Sequence, residues 1–282
     1  MSDIERLAGW LRCPVCGDDL VPVDRLVLGC GNGHRHDVNK RGYASLLGGG
    51  SRHLSDTAEM LDDRDRVLSS GAYDPIAHAV ATAASGAAPA RILDAGAGTG
   101  HYLRAVLAAA PDAVGLAMDL SPAAVGRAAR SSDRIDGLVA DTWRPLPVRS
   151  GTADVVLDVF APRNLPEFHR VLRPAGRLVV VVPRADHLGS LRADGAMLDI
   201  PADKADDVLA ASAALYAPLT REHVAYDLPV TPELVGALRG MGPSARHASD
   251  AGAASDFAAA TAPAATRVSV DVLTLVRAPE RA

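Results

Sequence analysis

The sequence predicts an α/β fold, a doubly wound and mostly parallel sheet preceded by a small cysteine-bearing segment. Three observations predict it. Short β-rich runs alternate with helical stretches between residues 91 and 183. The first of these runs leads into a glycine-rich turn, "DAGAGTG" (94–100), and every cysteine falls between residues 13 and 30.

At 282 residues the chain is long enough for one large core with an appendage, or for two modest domains. A formal net charge of -5 excludes a basic field over the whole molecule, so any contact with nucleic acid has to come from a local patch. No apolar run approaches the roughly 20 residues that span a bilayer, and the opening "MSDIERLAGWLR" lacks a basic segment followed by an apolar one. A cytoplasmic protein with no membrane partner is therefore expected. Three cysteines make a poor disulfide set and a good partial metal-ligand set, which suits a reducing compartment.

Taken in order, residues 1–12 suit a short amphipathic helix with Ile4, Leu7, Ala8 and Leu11 on one face. Residues 13–53 are turn-rich. From Asp56 to about Gly86 the pattern is helical, interrupted at "SSGAYDP", where Gly71 and Pro75 punctuate it. Strands are expected at "RILDAG" (91–96), "VGLAMD" (114–119), "GLVAD" (137–141), "ADVVLDVF" (153–160) and "GRLVVVVP" (176–183), with helices beginning near His101, Pro122 and Asn164. Unbroken apolar runs such as "LVVVV" suit strands covered on both faces, as in a parallel sheet under helices. "HVAYDLPV" (223–230) and "RVSVDVLTLV" (267–276) read as late strands, the second antiparallel; the Ala-rich stretch 251–266 reads as a frayed helix or a loop. The chain divides on this reading at 1–53, 54–86 and 87–282.

The cysteine segment has the spacing Cys13-x2-Cys16-x13-Cys30-x3-His34. Two short-spaced pairs from two turns supply the four N/S ligands of a tetrahedral Zn²⁺, and with every position filled by protein such a site is structural. About 40 residues bury too little surface to fold alone, and zinc can supply on the order of 10 kcal/mol in place of a core. His36 is the rival fourth ligand. Just beyond, Arg35, Lys40, Arg41, Tyr43, Arg52 and His53 form a local basic stretch with an aromatic, which suits either an RNA-contacting surface or a solvated rim with Tyr43 packed inside.

In the glycine-rich turn, Asp94 ends a strand, and Gly96, Gly98 and Gly100 open a helix. The Gly-x-Gly-x-Gly spacing is not the dinucleotide fingerprint that seats a pyrophosphate. S-adenosylmethionine has no phosphate; it needs an acidic residue for its ribose hydroxyls and a polar group for its adenine. Asp119 at the end of the second strand suits the first role, and Asp141 at the end of the third suits the second. Three consecutive strands thus carry polar groups to their carboxyl ends, where open α/β sheets bind ligands.

With these residues in place, the chain resembles the RlmA-type 23S rRNA guanine-N1 methyltransferases, and among them the tylosin-resistance branch. The resemblance rests on the cysteine knuckle followed by "HDVNKRGYASLL", and on "SDTAEMLDDRDRVLSSGAYDP", "LDAGAGTGHY", "VFAPRN" (159–164), "LRPAGRLVVVVPRADHL" and "MGPSARH" (241–247). It implies a Rossmann-like class I methyltransferase fold that uses S-adenosylmethionine, with a small N-terminal zinc-binding domain that recognises RNA. It also implies a hairpin-loop guanosine in domain II of 23S rRNA as target, macrolide resistance as consequence, and a homodimer. By position it adds Tyr73, Gly100, His101 and His187 to the cofactor contacts, and Thr99 and Leu120 are expected beside them. Arg246 stands where relatives tend to place an aromatic, so the stacking partner of the target base is either missing or replaced by a guanidinium plane. For the chemistry, Asp158 at the end of the fourth strand is the candidate acceptor of the guanine N1 proton, and Asn164 either reads the guanine edge or fixes the loop. Two other readings fit the same residues: a non-catalytic zinc-containing RNA-binding protein, and a methyltransferase acting on a small molecule.

Overall fold

The structure is a computed structural model, described over residues 3–48, 55–86, 88–192, 197–242 and 263–279. Arg52, His53, Arg246 and most of the 251–266 stretch lie outside these residues, as does the expected boundary at 53.

The N-terminal segment comprises α1 (Ile4–Ala8), β1 (Val21–Asp24), β2 (Val27–Gly29), β3 (Arg35–Asn39) and β4 (Tyr43–Ser45). Asp3 caps α1, its carboxylate accepting from the backbone N–H groups of Glu5 and Arg6. Two helices follow, α2 (Ala58–Ser69), capped by the Thr57 hydroxyl, and α3 (Asp74–Ser85), with Pro75 in its first turn. The βα series is β5 (Arg91–Ala95), α4 (His101–Ala109), β6 (Val114–Asp119), α5 (Pro122–Arg130), β7 (Ile135–Val139), β8 (Ala153–Val159), α6 (Leu165–Val171) and β9 (Leu172–Pro183). The chain closes with α7 (Gly189–Arg192), α8 (Lys204–Ser212), β10 (Tyr216–Pro229), α9 (Pro232–Gly240) and β11 (Ala265–Arg277).

The strands form one sheet in the order β1-β2-β3-β4-β7-β6-β5-β8-β9-β11-β10. From β4 to β9 in that order every pairing is parallel, and β11 runs antiparallel between β9 and β10. The chain leaves β5 toward β6 and β7, then returns to lay β8 and β9 on the other side. The strand order therefore reverses at β5/β8, and a crevice opens over their carboxyl ends.

Alternate residues on each strand serve opposite faces, because the side-chain period of a strand is two. Ile92 and Val155 join Ile76 and Val80 of α3 and Leu103 and Val106 of α4. Leu93 and Val156 join Phe168 of α6 on the other face, and Leu7, Trp10, Leu11, Leu20 and Leu28 belong to that same cluster. The N-terminal segment therefore has a core after all: it leans on the sheet's second face, while β4 extends the sheet beyond β7. A tally of this segment's own apolar residues misses that surface because the other half comes from distant strands. Arg6 clamps the junction, its Nε 2.7 Å and Nη2 2.9 Å from the two carboxylate oxygens of the fully buried Asp136 on β7. Arg91 lies 3.9 Å above the Trp10 ring.

Candidate active site and metal centre

The metal centre is assembled from two turns. Ligand atoms of Cys13, Cys16, Cys30 and His34 all lie within 4.8 Å of one another. Cys16 Sγ and Cys30 Sγ are 3.6 Å apart, and Cys30 Sγ is 3.3 Å from His34 Nδ1. A tetrahedral zinc with Zn–S of about 2.3 Å sets sulfur atoms about 3.8 Å apart, close to the Cys16–Cys30 separation, so the four ligand atoms stand near enough to share such an ion. Asn32 and the Asp18 backbone pull the exposed Cys16 thiol down to about 6, which favours the thiolate that a metal needs. His36 stands outside the set, its Nε2 3.5 Å from Cys13 Sγ. Tyr43 is buried against Val125 and Val139, so it offers no ring to a base. The exposed Arg41 and Arg130 both approach Gly126 on α5.

At the crevice, "GAGTG" folds back so that Gly96, Gly98 and Gly100 all take positive φ. Two of these glycines are sterically required. A Cβ at Gly96 would stand 2.5 Å from the Ala161 Cβ, and one at Gly100, which caps α4, would stand 3.0 Å from the Ala128 Cβ. Asp119 holds the turn: its carboxylate accepts from the Gly98 N–H at 2.9 Å and from the Ser121 N–H at 2.8 Å. Leu120 follows it, half-buried. Asp141, buried at the tip of β7, accepts from the Trp143 N–H at 3.0 Å.

Polar atoms without partners surround the turn. Asp94 Oδ2, Thr99 Oγ1 and His101 Nε2 are buried and make no hydrogen bond, as are both oxygens of Asp158. Such atoms cost free energy until a ligand satisfies them, and a ligand with amino, hydroxyl and sulfonium groups can do so. Burial raises the Asp94 carboxyl to about 7, with the Asp119 charge adding to the effect. Burial also drives Asp158 well up, and Arg163, whose Nη1 is 3.8 Å from Asp158 Oδ1, opposes that only in part. The crevice floor therefore holds two carboxyls of high proton affinity on neighbouring strands.

Tyr73 and His187 meet across the crevice, the phenol oxygen 3.5 Å from His187 Nε2. His187 Nδ1 accepts from the Ser269 N–H at 3.2 Å, which leaves the proton on Nε2, and burial lowers this imidazole to about 4, so it is neutral at physiological pH. Asn164 caps α6: its Oδ1 accepts from the Glu167 N–H, and its Nδ2 donates to the carbonyls of Thr142, at 2.8 Å, and Arg144, at 3.2 Å. Of its two expected roles, this is the geometry of fixing the loop.

Sequence reasoning assigned nothing to Phe160, Tyr102, Trp143 or Arg163. The rarity of aromatics, 4% of the chain, was the available signal for the rings. A cleft of about 480 Å³ lies on the outer side of the turn, lined by Asp65, Thr99, His101, Arg104, Arg127 and Arg130 among others. It shares Thr99 and His101 with the turn, and of its three arginines Arg127 is paired with Asp62 and Asp65.

Comparison with known proteins identifies the family. Residues 92–176 match the family model of a methyltransferase domain. A 23S rRNA (guanine(748)-N(1))-methyltransferase of Streptomyces fradiae is 40% identical over 242 residues, 84% of this chain and 86% of that protein. A Micromonospora griseorubida protein that carries the name 23S rRNA (guanine-N(1)-)-methyltransferase provisionally is 42% identical over 279 residues, 92% of this chain and 95% of its own length. Among the described residues no helix is long and apolar enough to cross a membrane.

Proposed function

The chain belongs to the family of 23S rRNA (guanine-N1)-methyltransferases, and we propose from that membership that it methylates N1 of a guanosine in 23S rRNA. The observation that carries this reading is the near end-to-end similarity to the Streptomyces fradiae enzyme. The crevice supports it from the side of chemistry.

S-adenosylmethionine, when bound, supplies a methyl group already activated on a sulfonium cation. Asp119 and Asp141 would hold its sugar and base, while Asp94, Thr99, His101, Tyr73 and His187 would hold the amino-acid end, with the glycine turn and Leu120 between. Guanine N1 carries a proton at neutral pH and becomes nucleophilic as that proton leaves. Asp158 would take it, a reading supported by carboxylate oxygens that make no hydrogen bond and pair only with Arg163. Its raised proton affinity makes it a stronger base once ionised, and Arg163 favours the ionised form. Asn164 keeps the neighbouring loop in register. Alignment supplies much of the remaining rate, because the reaction is a displacement along one line.

The guanosine sits, on this reading, in a hairpin loop of domain II, where an unpaired base can be extruded. The zinc segment recognises the stem, Arg41, Arg130 and the outer cleft meet phosphates, and the enzyme works in the cytoplasm as a homodimer with macrolide resistance as the outcome. Primer extension on 23S rRNA from cells with and without the gene tests the activity: an N1-methyl group blocks Watson–Crick pairing, so a new stop is expected. Unchanged extension would remove the reading. Sedimentation of the purified protein tests the dimer.

A further inference from the structure

Phe160 stands immediately after β8, two residues beyond Asp158, and methyl transfer as described gives it no role. We propose that its ring is the stacking face for the extruded guanine, a purine-base subsite at the tip of β8. This rests on the RNA-methylating function above.

Three observations place the base there. First, Phe160 has φ +54°, a left-handed conformation that bulky L side chains rarely adopt and that costs free energy, whereas glycine would hold it without strain. Strained residues of this kind cluster at functional sites, and among the described residues Ala88, Ala175 and Leu188 also adopt positive φ. Second, Phe160 is 40% exposed although its ring is backed by His187, Tyr73 and Tyr102, with centroids 6.0, 6.2 and 6.4 Å away. A ring packed against three others and still open to solvent over part of its surface can take a further ring. Among the described residues Trp143 is the other exposed large aromatic, but it follows β7 on the side of Asp119 and Asp141. Third, the sheet order puts β8 on the opposite side of β5 from β6 and β7. With the sugar and base of the cofactor over β6 and β7, its reactive end faces β8, the strand that leads through Asp158 into Phe160. Stacking there would hold the guanine at the tip of the strand that carries Asp158. Aromatic faces hold bases in this way irrespective of their sequence context.

The test uses the full-length protein. Wild-type enzyme is first given 23S rRNA transcripts, and the methylated guanosine is located. A hairpin carrying that nucleotide then serves as substrate, and the same hairpin with 2-aminopurine at that position serves as a fluorescent probe. Phe160→Ala and Phe160→Leu are both expected to lower kcat/KM for the hairpin by roughly 5- to 150-fold, the range that loss of one stacked base implies. Phe160→Trp is expected to restore at least half of the activity. S-adenosylmethionine affinity by calorimetry should stay within twofold in all three variants, and the 2-aminopurine signal of the wild-type complex should change in Phe160→Leu. A Phe160→Leu enzyme as active as wild type would overturn the proposal even if Phe160→Ala failed to fold. Equal losses of cofactor affinity and RNA turnover would overturn it too, since Phe160 would then be a wall of the cofactor site. Wild-type enzyme that methylates no guanosine would remove the functional reading, and this inference with it.

Discussion

At the scale of single residues, Asp94 and Asp119 divide two tasks that look alike in sequence. Asp119 spends its carboxylate on the turn itself, through the Gly98 and Ser121 N–H groups. Asp119→Ala should therefore weaken S-adenosylmethionine binding by about 1–3 kcal/mol through lost hydrogen bonds to ligand and loop together, as calorimetry would read. Asp94 is a proton store. Its carboxyl titrates at about 7 in the folded chain, against about 3.9 when unfolded. Between those values the folded state holds the extra proton, so this group makes the free protein less stable as pH rises through that window, and its effect levels off above pH 7. A cation bound beside it favours the carboxylate. Cofactor affinity should thus rise about tenfold between pH 6 and 8 with release of a proton, and Asp94→Asn should flatten the profile. An identical profile in the two proteins would remove Asp94 from the site.

At the scale of elements, α1 and β7 are fastened by a buried pair rather than by apolar contact alone. Removing Arg6 would leave the Asp136 carboxyl, fully buried and already pushed up by desolvation, without its partner. Arg6→Ala should cost about 3 kcal/mol, the lower end for a broken buried pair because Arg6 is partly exposed. Chemical denaturation measures this, and Arg6→Ala combined with Asp136→Asn should recover part of the loss. Most elements were legible: the strand runs, the helix starts at His101 and Pro122, and the break between α2 and α3 all follow from local pattern. The beginning of β9 at Leu172 was not, because "RPAG" reads as a turn and its pairing with Ala153 is a long-range contact.

For the molecule as a whole, the zinc segment and the methyltransferase sheet share a core and a continuous row of strands. Metal loss should accordingly weaken the entire fold. Cys16→Ser, which touches no apolar core, should lower the unfolding temperature in a single calorimetric transition and reduce bound zinc below one per chain. A separate low-temperature transition with the main one unmoved would mean that the two parts fold independently. RNA methylation should fall with the zinc, since the segment's basic turn would lose its place beside α5.

What the sequence determined by itself was chemistry tied to local spacing. The spacing of Cys13, Cys16 and Cys30 with a histidine just beyond, the glycine turn and the acidic strand ends are each written in short stretches, because turn geometry and strand period act over that range. The tertiary structure decided what depends on pairing across the chain. It grouped His34 rather than His36 with the cysteines, buried Tyr43, turned Asn164 into a loop clasp, and packed the Phe160 ring against Tyr73, Tyr102 and His187. Each of those outcomes is fixed by neighbours contributed from distant segments, and no local pattern encodes which segments those will be.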